Sequence, residues 1–409
     1  MVLPTDTALY SYGRRKTTPT RQSPHHHNQL SALGRGSSLA LAGGAAGHPA
    51  QTRTGHRYPG ASVRRPGQPH HRRPPGPSFS LRASPLGDTD PRRSAHNKIR
   101  RNPGYLLLLP GYLLAGGLAA WRLGRSGRYD ILHVHWPMPQ GLMGVVARWA
   151  GGGRLVATFY GADLVMSRRF PFVRPLVRSF ARRCAEVAAI SSYTAREVRQ
   201  STGISPRVIP YGIAMPPENQ AWPAQPGMIL TVGRLVARKG HAYLIEAMAR
   251  LDAPDAHLVI VGEGHERPDL ESRVRALQLK DRVTFAGRVS DAELNRLYQS
   301  CQVFVLPAIV DSSGDTEMLG MVSLEAMRYG KPVVATRVGG IADIVQDRTT
   351  GLMVEQRDAG ALAAAIDRLL ADADLAACLG HAGYLYARDH FSWDAVVQQT
   401  LALYGLAEA

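Results

Sequence analysis

Glu317 and Glu325, two carboxylates with seven residues between them, lie in the stretch DSSGDTEMLGMVSLEAMRYGKPVVAT, residues 311–336. Asp, Ser and Gly make its first part a loop, and the apolar spacing from Met321 to Met327 predicts a helix. Lys331 and Pro332 stop that helix, and VVAT reads as a buried strand. Glu325 then sits mid-helix among apolar neighbours, where a carboxylate is costly without partners, so a hydroxyl-rich ligand suits it. Glu317 precedes the helix start, where unpaired amides around Leu319, Gly320 and Met321 would face an anion. Carboxylates for hydroxyls around a phosphate-friendly helix end are the groups a sugar nucleotide requires. The competing reading is one solvated loop carboxylate and one on a helix surface.

A second set of polar residues sits in GRLVARKG, residues 233–240. This loop follows a strand and precedes a helix, as phosphate-binding turns do, yet it is neither GxGxxG nor a Walker A loop. From Gly233 onward, Arg234 as a fork and Lys239 as a point charge can reach one pyrophosphate. Surface charges on a tight turn are the plain alternative. Gly262, Glu263 and Gly264 after the next strand add a close-approach turn on the same edge. His133 and His135 flank Val134 at a strand end; as a zinc pair they lack a third ligand, so they read as polar groups facing a cleft. Asp88-Thr89-Asp90 has no flanking strand and reads as chance. Cys184, Cys301 and Cys378 show neither disulfide nor metal-ligand spacing, which suits a reducing compartment.

The elements that must hold these residues alternate. YDILHVHW, RLVATFYG, EVAAISS and RVIPYGI read as strands separated by helical stretches. After a Pro-rich linker at 217–227, MILTVG, HLVIVG, VTFAG, CQVFVLP, VVAT and GLMVE repeat the pattern. Strand–helix alternation on both sides of a linker means two Rossmann-like domains of parallel sheet facing one cleft. GYLLLLPGYLLAGGLAAW, residues 104–121, has the hydrophobicity of a membrane span, but Pro110, Gly116 and Gly117 interrupt it. A packed helix is the better account. One helix is expected over 170–183, with Phe172, Val173, Leu176, Val177 and Phe180 on its core face. Arg174, Arg178 and Arg182 form the opposite stripe, either simply solvated or lying on an anionic membrane.

The formal charge of +17 invites a nucleic-acid partner, but its distribution argues against one. Residues 1–100 hold 16 Lys/Arg and 3 Asp/Glu, whereas the remaining 309 residues hold 33 and 29. The body is nearly balanced, and the basic segment offers few aromatics for stacking bases. Rich in Arg, Pro, His, Gly and Ser, without apolar periodicity, residues 1–100 are expected to be disordered. They lack a signal-peptide core. They resemble no domain and read as a frame-shifted translation of GC-rich DNA.

GRLVARKG, VGEG, FAGRV, the paired-Glu segment and VATRVGGIADIV, in this order and spacing, resemble the donor domain of retaining GT-B glycosyltransferases of the family 4 (group 1) type. The resemblance covers about residues 104–405 and is most specific over 228–360. It implies that Arg234 and Lys239 bind the donor diphosphate, with Gly233, Gly262 and the amides of Leu319, Gly320, Met321 and Val322 beside it. Glu325 would hold ribose hydroxyls, Glu317 would contact the transferred sugar, and the backbone of Arg288 and Val289 would meet the base. HVHWPMPQGL and TFYGADL resemble the acceptor-side domain. Tyr160 stands where the family often has a His that touches the donor sugar, and Asp163 is a less exposed candidate beside it. The opening strand and glycine-rich loop of that domain are not recognisable.

The resulting expectation is an α/β GT-B fold with a disordered extension at 1–100 and an apparently incomplete N-terminal domain at 104–216. A donor domain follows at 228–390, then a C-terminal helix at 391–409. Such an enzyme moves a hexose from a nucleotide-sugar to a glycan or lipid-linked acceptor with retention, with Glu317, Arg234 and Lys239 as catalytic groups. It needs no metal and no cofactor, and works in the cytoplasm, in some cases at the inner face of the membrane. A sugar-nucleotide-binding relic and a GT-B epimerase are the alternatives, the second disfavoured by GRLVARKG.

Overall fold

The computed structural model describes residues 108–216 and 223–406. Expectations for residues 1–100, for 104–107 and for the linker at 217–222 lie outside the described residues. The first lobe runs α1 (Leu108–Arg125), β1 (Ile131–His135), α2 (Pro137–Trp149), β2 (Arg154–Phe159), α3 (Ala162–Arg169), α4 (Arg174–Ala181), β3 (Glu186–Ala189), α5 (Ser192–Thr202) and β4 (Arg207–Val208). Its strands are parallel, in the order β1-β2-β3-β4. Their apolar runs, such as LVATF, are the signature of strands covered on both faces. From Leu108 onward the apolar stretch forms α1, which rests on α2 but leaves Leu114, Leu118 and Trp121 exposed. A Cβ on Gly116 would lie 2.3 Å from Met143, and one on Gly124 2.1 Å from the Ala147 carbonyl. Glycines here let α1 lie close against α2. No helix among the described residues is long and apolar enough to cross a membrane.

One element differs from expectation. The helix expected over 170–183 is replaced by an extended Phe170, a 3-10 turn at Pro171–Val173 and the short α4. Pro171 bars the residue before it from helical geometry, and Phe170 is accordingly extended at φ −126°, ψ 88°. Val173, Val177 and Phe180 are buried, but Phe172 and Leu176 face solvent.

The second lobe runs β5 (Met228–Val232), α6 (His241–Met248), β6 (His257–Val261), α7 (Arg267–Ala276), β7 (Val283–Gly287), α8 (Asp291–Ser300), β8 (Val303–Leu306), α9 (Met321–Met327), β9 (Val333–Thr336), β10 (Leu352–Val354), α10 (Ala359–Ala371), α11 (Ala373–Phe391) and α12 (Trp393–Tyr404). Side-chain caps start several helices: Ser290 accepts from the Glu293 amide and Asp358 from that of Ala361. The six parallel strands are ordered β10-β9-β8-β5-β6-β7. This is the doubly wound arrangement, and its strand order reverses between β5 and β8. Ile229 and Leu230 of β5 pair there with Val303 and Phe304 of β8. Loops leaving these neighbouring strands diverge and open a crevice at their carboxyl ends.

One apolar cluster, including Leu244, Ile245, Met248, Leu362 and Ile366, fills one face of this sheet. The cluster on the other face reaches into the first lobe through Ile190, Ile213 and the half-buried Tyr160. From Leu113 onward, both lobes belong to one compact unit. The last helix crosses back: Val396 and Leu403 of α12 pack on Ile131, Val156 and Ala188.

Candidate active site

The crevice at the β5–β8 reversal holds the polar residues singled out by spacing. After β5, the chain makes a 3-10 turn at Ala237–Lys239 and leaves it through Gly240 at φ 67°. The turn after β6 presses on this loop. A Cβ on Gly262 would fall 1.9 Å from the Gly233 carbonyl, and one on Gly264 2.0 Å from that of Leu235. Both glycines are therefore backbone-to-backbone contacts. The loop after β8 delivers Glu317 opposite. Gly339 and Gly340 close behind it, with the Gly340 amide donating to the Glu317 carbonyl at 3.0 Å.

Lys239 and Glu317 meet. Lys239 Nζ lies 2.6 Å from Glu317 Oε2, and Arg238 Nη1 reaches the same oxygen at 3.1 Å. Arg238 Nε also lies 3.5 Å from the Asp315 carboxylate. Burial works against the Glu317 carboxylate, but Lys239, then Arg238, outweigh it and hold its pKa below the usual carboxylate value. Arg234 opens the loop with its side chain exposed. Two cations and a carboxylate thus converge beside α9, which begins at Gly320 (φ 90°) with no side-chain cap. The first backbone bond there runs from the Ser323 amide to the Gly320 carbonyl, at 2.8 Å. Leu319, Gly320, Met321 and Val322 are the residues of that helix start.

Glu325, on α9, accepts a 2.6 Å hydrogen bond from the Tyr298 hydroxyl. Burial raises its pKa, partly opposed by that bond and by Arg328. Tyr298 holds one carboxylate oxygen, which fixes the side chain rather than leaving it free. Arg288, exposed, and Val289, half-buried, follow β7, whose last carbonyl, at Gly287, takes the Gly262 amide at 2.8 Å.

From the first lobe, Tyr160 directly follows β2 and its hydroxyl is hydrogen-bonded to His135 Nδ1. Its ring also meets those of Trp136 and Tyr211, each at 5.3 Å. A Cβ on Gly161 would lie 2.6 Å from Met318 Sδ, so this strand end touches the residue after Glu317. His133 does not face a cleft as expected. It is buried between Tyr404 (2.7 Å) and Thr158 (2.8 Å), tying α12 to the sheet. Burial lowers the pKa of His133, with His135 adding to it, and burial takes His135 down to about 4. Both rings are neutral near pH 7. Among the described residues no group of three or more His, Cys, Asp or Glu is placed to hold a metal.

Asp163, only 1 % exposed, takes the Met138 amide on Oδ1 at 2.9 Å, while Oδ2 has no partner among the described residues. It secures the turn between β1 and α2 and is not open to a ligand. Burial raises its pKa from 3.8 to about 7, against the pull of the Met138 amide. A carboxyl with a raised folded pKa binds its proton more tightly folded than unfolded. Its stabilising effect is therefore complete below about pH 4 and declines as pH rises toward 7, by at most about 4 kcal/mol. Denaturant melts between about pH 5 and pH 7.5 should show stability falling for the parent and a shallower fall for Asp163→Asn. Equal slopes would mean that Asp163 ionises as freely as an exposed carboxylate.

Arg238, Asp315 and Tyr298 were not singled out by spacing. Arg238 lies within GRLVARKG, but only the 3-10 turn reveals that it points inward beside Lys239 while Arg234 points out. Tyr298 sits on α8, and nothing in its surroundings in the sequence links it to Glu325.

Comparison with known proteins bears on the fold and the family. The family "Glycosyl transferases group 1" matches residues 217–386, and "Glycosyltransferase Family 4" matches residues 40–215. The second match begins well inside the 1–100 stretch. A GDP-mannose-dependent alpha-(1-6)-phosphatidylinositol monomannoside mannosyltransferase from Mycolicibacterium smegmatis is 33% identical over 285 residues, covering 65% of this chain and 74% of that protein. Sucrose-phosphate synthase from Thermosynechococcus elongatus superposes with a TM-score of 0.61 at 26% identity, over 80% of this chain and 82% of that one. Anabaena HepE, solved in complex with UDP, gives 0.59 at 21% identity over 68% and 79%, a likeness of fold. The chain belongs to the group 1, family 4 glycosyltransferases, with the two parallel-sheet lobes of the GT-B fold.

Proposed function

We propose that this glycosyltransferase moves a hexose from a nucleotide-sugar to a glycan or lipid-linked acceptor with retention of anomeric configuration. The observation that carries the reading is the meeting of Lys239, Arg238 and Glu317 at the sheet's reversal point, beside an uncapped helix start. Arg234, Lys239 and the amides at the start of α9 would neutralise the diphosphate as it leaves. Glu325, steadied by Tyr298, would accept from ribose hydroxyls. Arg288 and Val289 would offer backbone to the base, and Tyr160, steadied by His135, would reach the donor sugar. Glu317 would turn from Lys239 to the sugar when the diphosphate takes the lysine. The bond from the anomeric carbon to the diphosphate oxygen breaks. The acceptor hydroxyl forms the new bond on the same face, and its proton passes to the leaving phosphate. No resident metal or cofactor has a role in this scheme. The mannosyltransferase relative makes GDP-mannose the first donor to try. We place the reaction in the cytoplasm, at the inner face of the membrane where the acceptor is lipid-linked.

Titration with nucleoside diphosphate tests the donor side. Arg234→Ala should lose a charge-assisted contact worth about 1.5–3 kcal/mol, or about 10–100-fold in affinity. Equal affinities in parent and variant would remove Arg234 from the site and leave the diphosphate to Lys239 alone.

A further inference from the structure

Beyond the crevice, the segment from α3 to α4 presents an unusual combination. Val173, Val177 and Phe180 anchor it to the lobe, so Phe172 and Leu176 are not needed for the core, and they stand 72 % and 56 % exposed. Phe170 lies beside Phe172, ring centroids 5.9 Å apart. Arg174 and Arg178 lie on α4 and Arg182 caps its end, at four-residue spacing, with Arg183 next. A surface cavity of about 570 Å³ is lined by Arg168, Arg174, Arg178, Glu197 and Gln200, among others. A second, of about 490 Å³, shares Arg178 and continues to Arg182 and Arg183. Glu197 is the only acid lining either cavity, and Arg168 already engages it at 3.0 Å. Arg174 Nε donates to the Ser167 carbonyl at 3.2 Å, and Arg183 to that of Ser179 at 2.8 Å. The Arg178 and Arg182 side chains have neither hydrogen-bond nor ion-pair partners among the described residues.

A merely solvated helix has no use for protruding Phe and Leu side chains amid uncompensated arginines. An anionic lipid bilayer satisfies both at once. Phe and Leu enter the boundary between headgroups and acyl chains, while arginines meet phosphates in the headgroup layer. Single-stranded RNA would also suit the arginines, but Leu176 offers no planar face for a base. We propose that the α3–α4 surface docks this protein on an anionic phospholipid membrane, with Phe172 and Leu176 inserted and Arg178 and Arg182 on lipid phosphates. α3 starts after Gly161, the strand-end residue that touches Met318, and its eight residues span roughly 12 Å. The docked face therefore lies one short helix from the crevice. The proposal rests on this surface alone and holds whatever the donor and acceptor prove to be.

Co-sedimentation of the full chain with vesicles tests it, using phosphatidylcholine alone or mixed with phosphatidylglycerol. Binding is expected only with phosphatidylglycerol present, and should weaken as salt rises. The basic residues 1–100 are present in every variant, so losses report on α4. Arg178→Ser with Arg182→Ser should weaken binding by roughly 25-fold, about fivefold for each arginine. Phe172→Ser with Leu176→Ser should weaken it about tenfold or more while leaving the salt dependence unchanged. Nucleoside diphosphate affinity should stay at the parent value in both variants, which shows that they fold. Binding unchanged in either double variant overturns the proposal. So does retention of single-stranded RNA that matches vesicle binding and falls only with the arginines. Inorganic phosphate that displaces the protein from vesicles at millimolar levels would reassign the surface to a soluble anion.

Discussion

Glu317→Gln should bind free nucleoside diphosphate about tenfold more tightly than the parent, yet turn over nucleotide-sugar at least about a hundredfold more slowly. The opposite signs follow from one contact. In the crevice the Glu317 carboxylate rests on Lys239 at 2.6 Å, with Arg238 at 3.1 Å, and both partners of the closer pair are largely buried. A diphosphate can claim Lys239 only by breaking that contact, and a charge-assisted hydrogen bond is worth about 1.5–3 kcal/mol. Glutamine keeps the shape and removes the charge, so the lysine becomes available. Arg238 can still hold the parent carboxylate once Lys239 is taken, which puts the gain near the lower end, about tenfold. Turnover falls because the same carboxylate is proposed to stabilise charge growing on the sugar ring, a contact that matters only in the transition state. Calorimetry with nucleoside diphosphate and a turnover assay with nucleotide-sugar check the two halves. Diphosphate affinity that falls together with turnover would show that Glu317 helps to bind the diphosphate, and the competition would be dismissed.

Periodicity made most of the fold legible. The second-lobe strands lie where MILTVG, HLVIVG, VTFAG, CQVFVLP, VVAT and GLMVE place them, because buried parallel strands are short continuous apolar runs. The helix expected over 170–183 was misread because five apolar residues at helical spacing outweighed Pro171. The proline breaks the helix before Phe172, and of the five apolar residues only Val173, Val177 and Phe180 are buried. In the site, residue types were legible and partners were not. Arg238 and Glu317 are 79 residues apart in the chain. They meet because β8 lies beside β5 and not beside β7, which is a property of strand order that no local pattern encodes. Alone, GRLVARKG suggests that Arg234 and Lys239 act together, and the 3-10 turn instead sets Arg238 beside Lys239. Asp163 looked like a candidate for the ligand because its burial beneath the turn after β1 depends on the packing of two strand ends.

Gly240→Ala tests whether the loop after β5 is held as rigidly as this account requires, and it should be among the most damaging single substitutions in the second lobe. Gly240 has φ 67°, a region that costs an L-residue about 1–2 kcal/mol. A Cβ there would also lie 1.9 Å from the Pro307 carbonyl, at the end of β8. That neighbour is backbone and cannot rotate away, so β5 and β8 must separate or the 3-10 turn must unwind. The total loss should be at least about 3–4 kcal/mol, among the larger effects of single substitutions. Gly203 supplies the control. It has φ 80° at the end of α5, but a Cβ would meet nothing within 4 Å. Gly203→Ala should therefore cost only the backbone preference, about 1–2 kcal/mol. The difference between the two measures the close approach of the loop to the strand end, free of the shared cost of positive φ. Because Gly240 directly follows Lys239, its alanine variant should also lose nucleoside diphosphate affinity at temperatures where it is still folded, whereas Gly203→Ala should keep it. If both variants melt together and bind alike, the loop yields to a methyl group. Rigid apposition of β5 and β8 would then not be what holds Lys239 against Glu317.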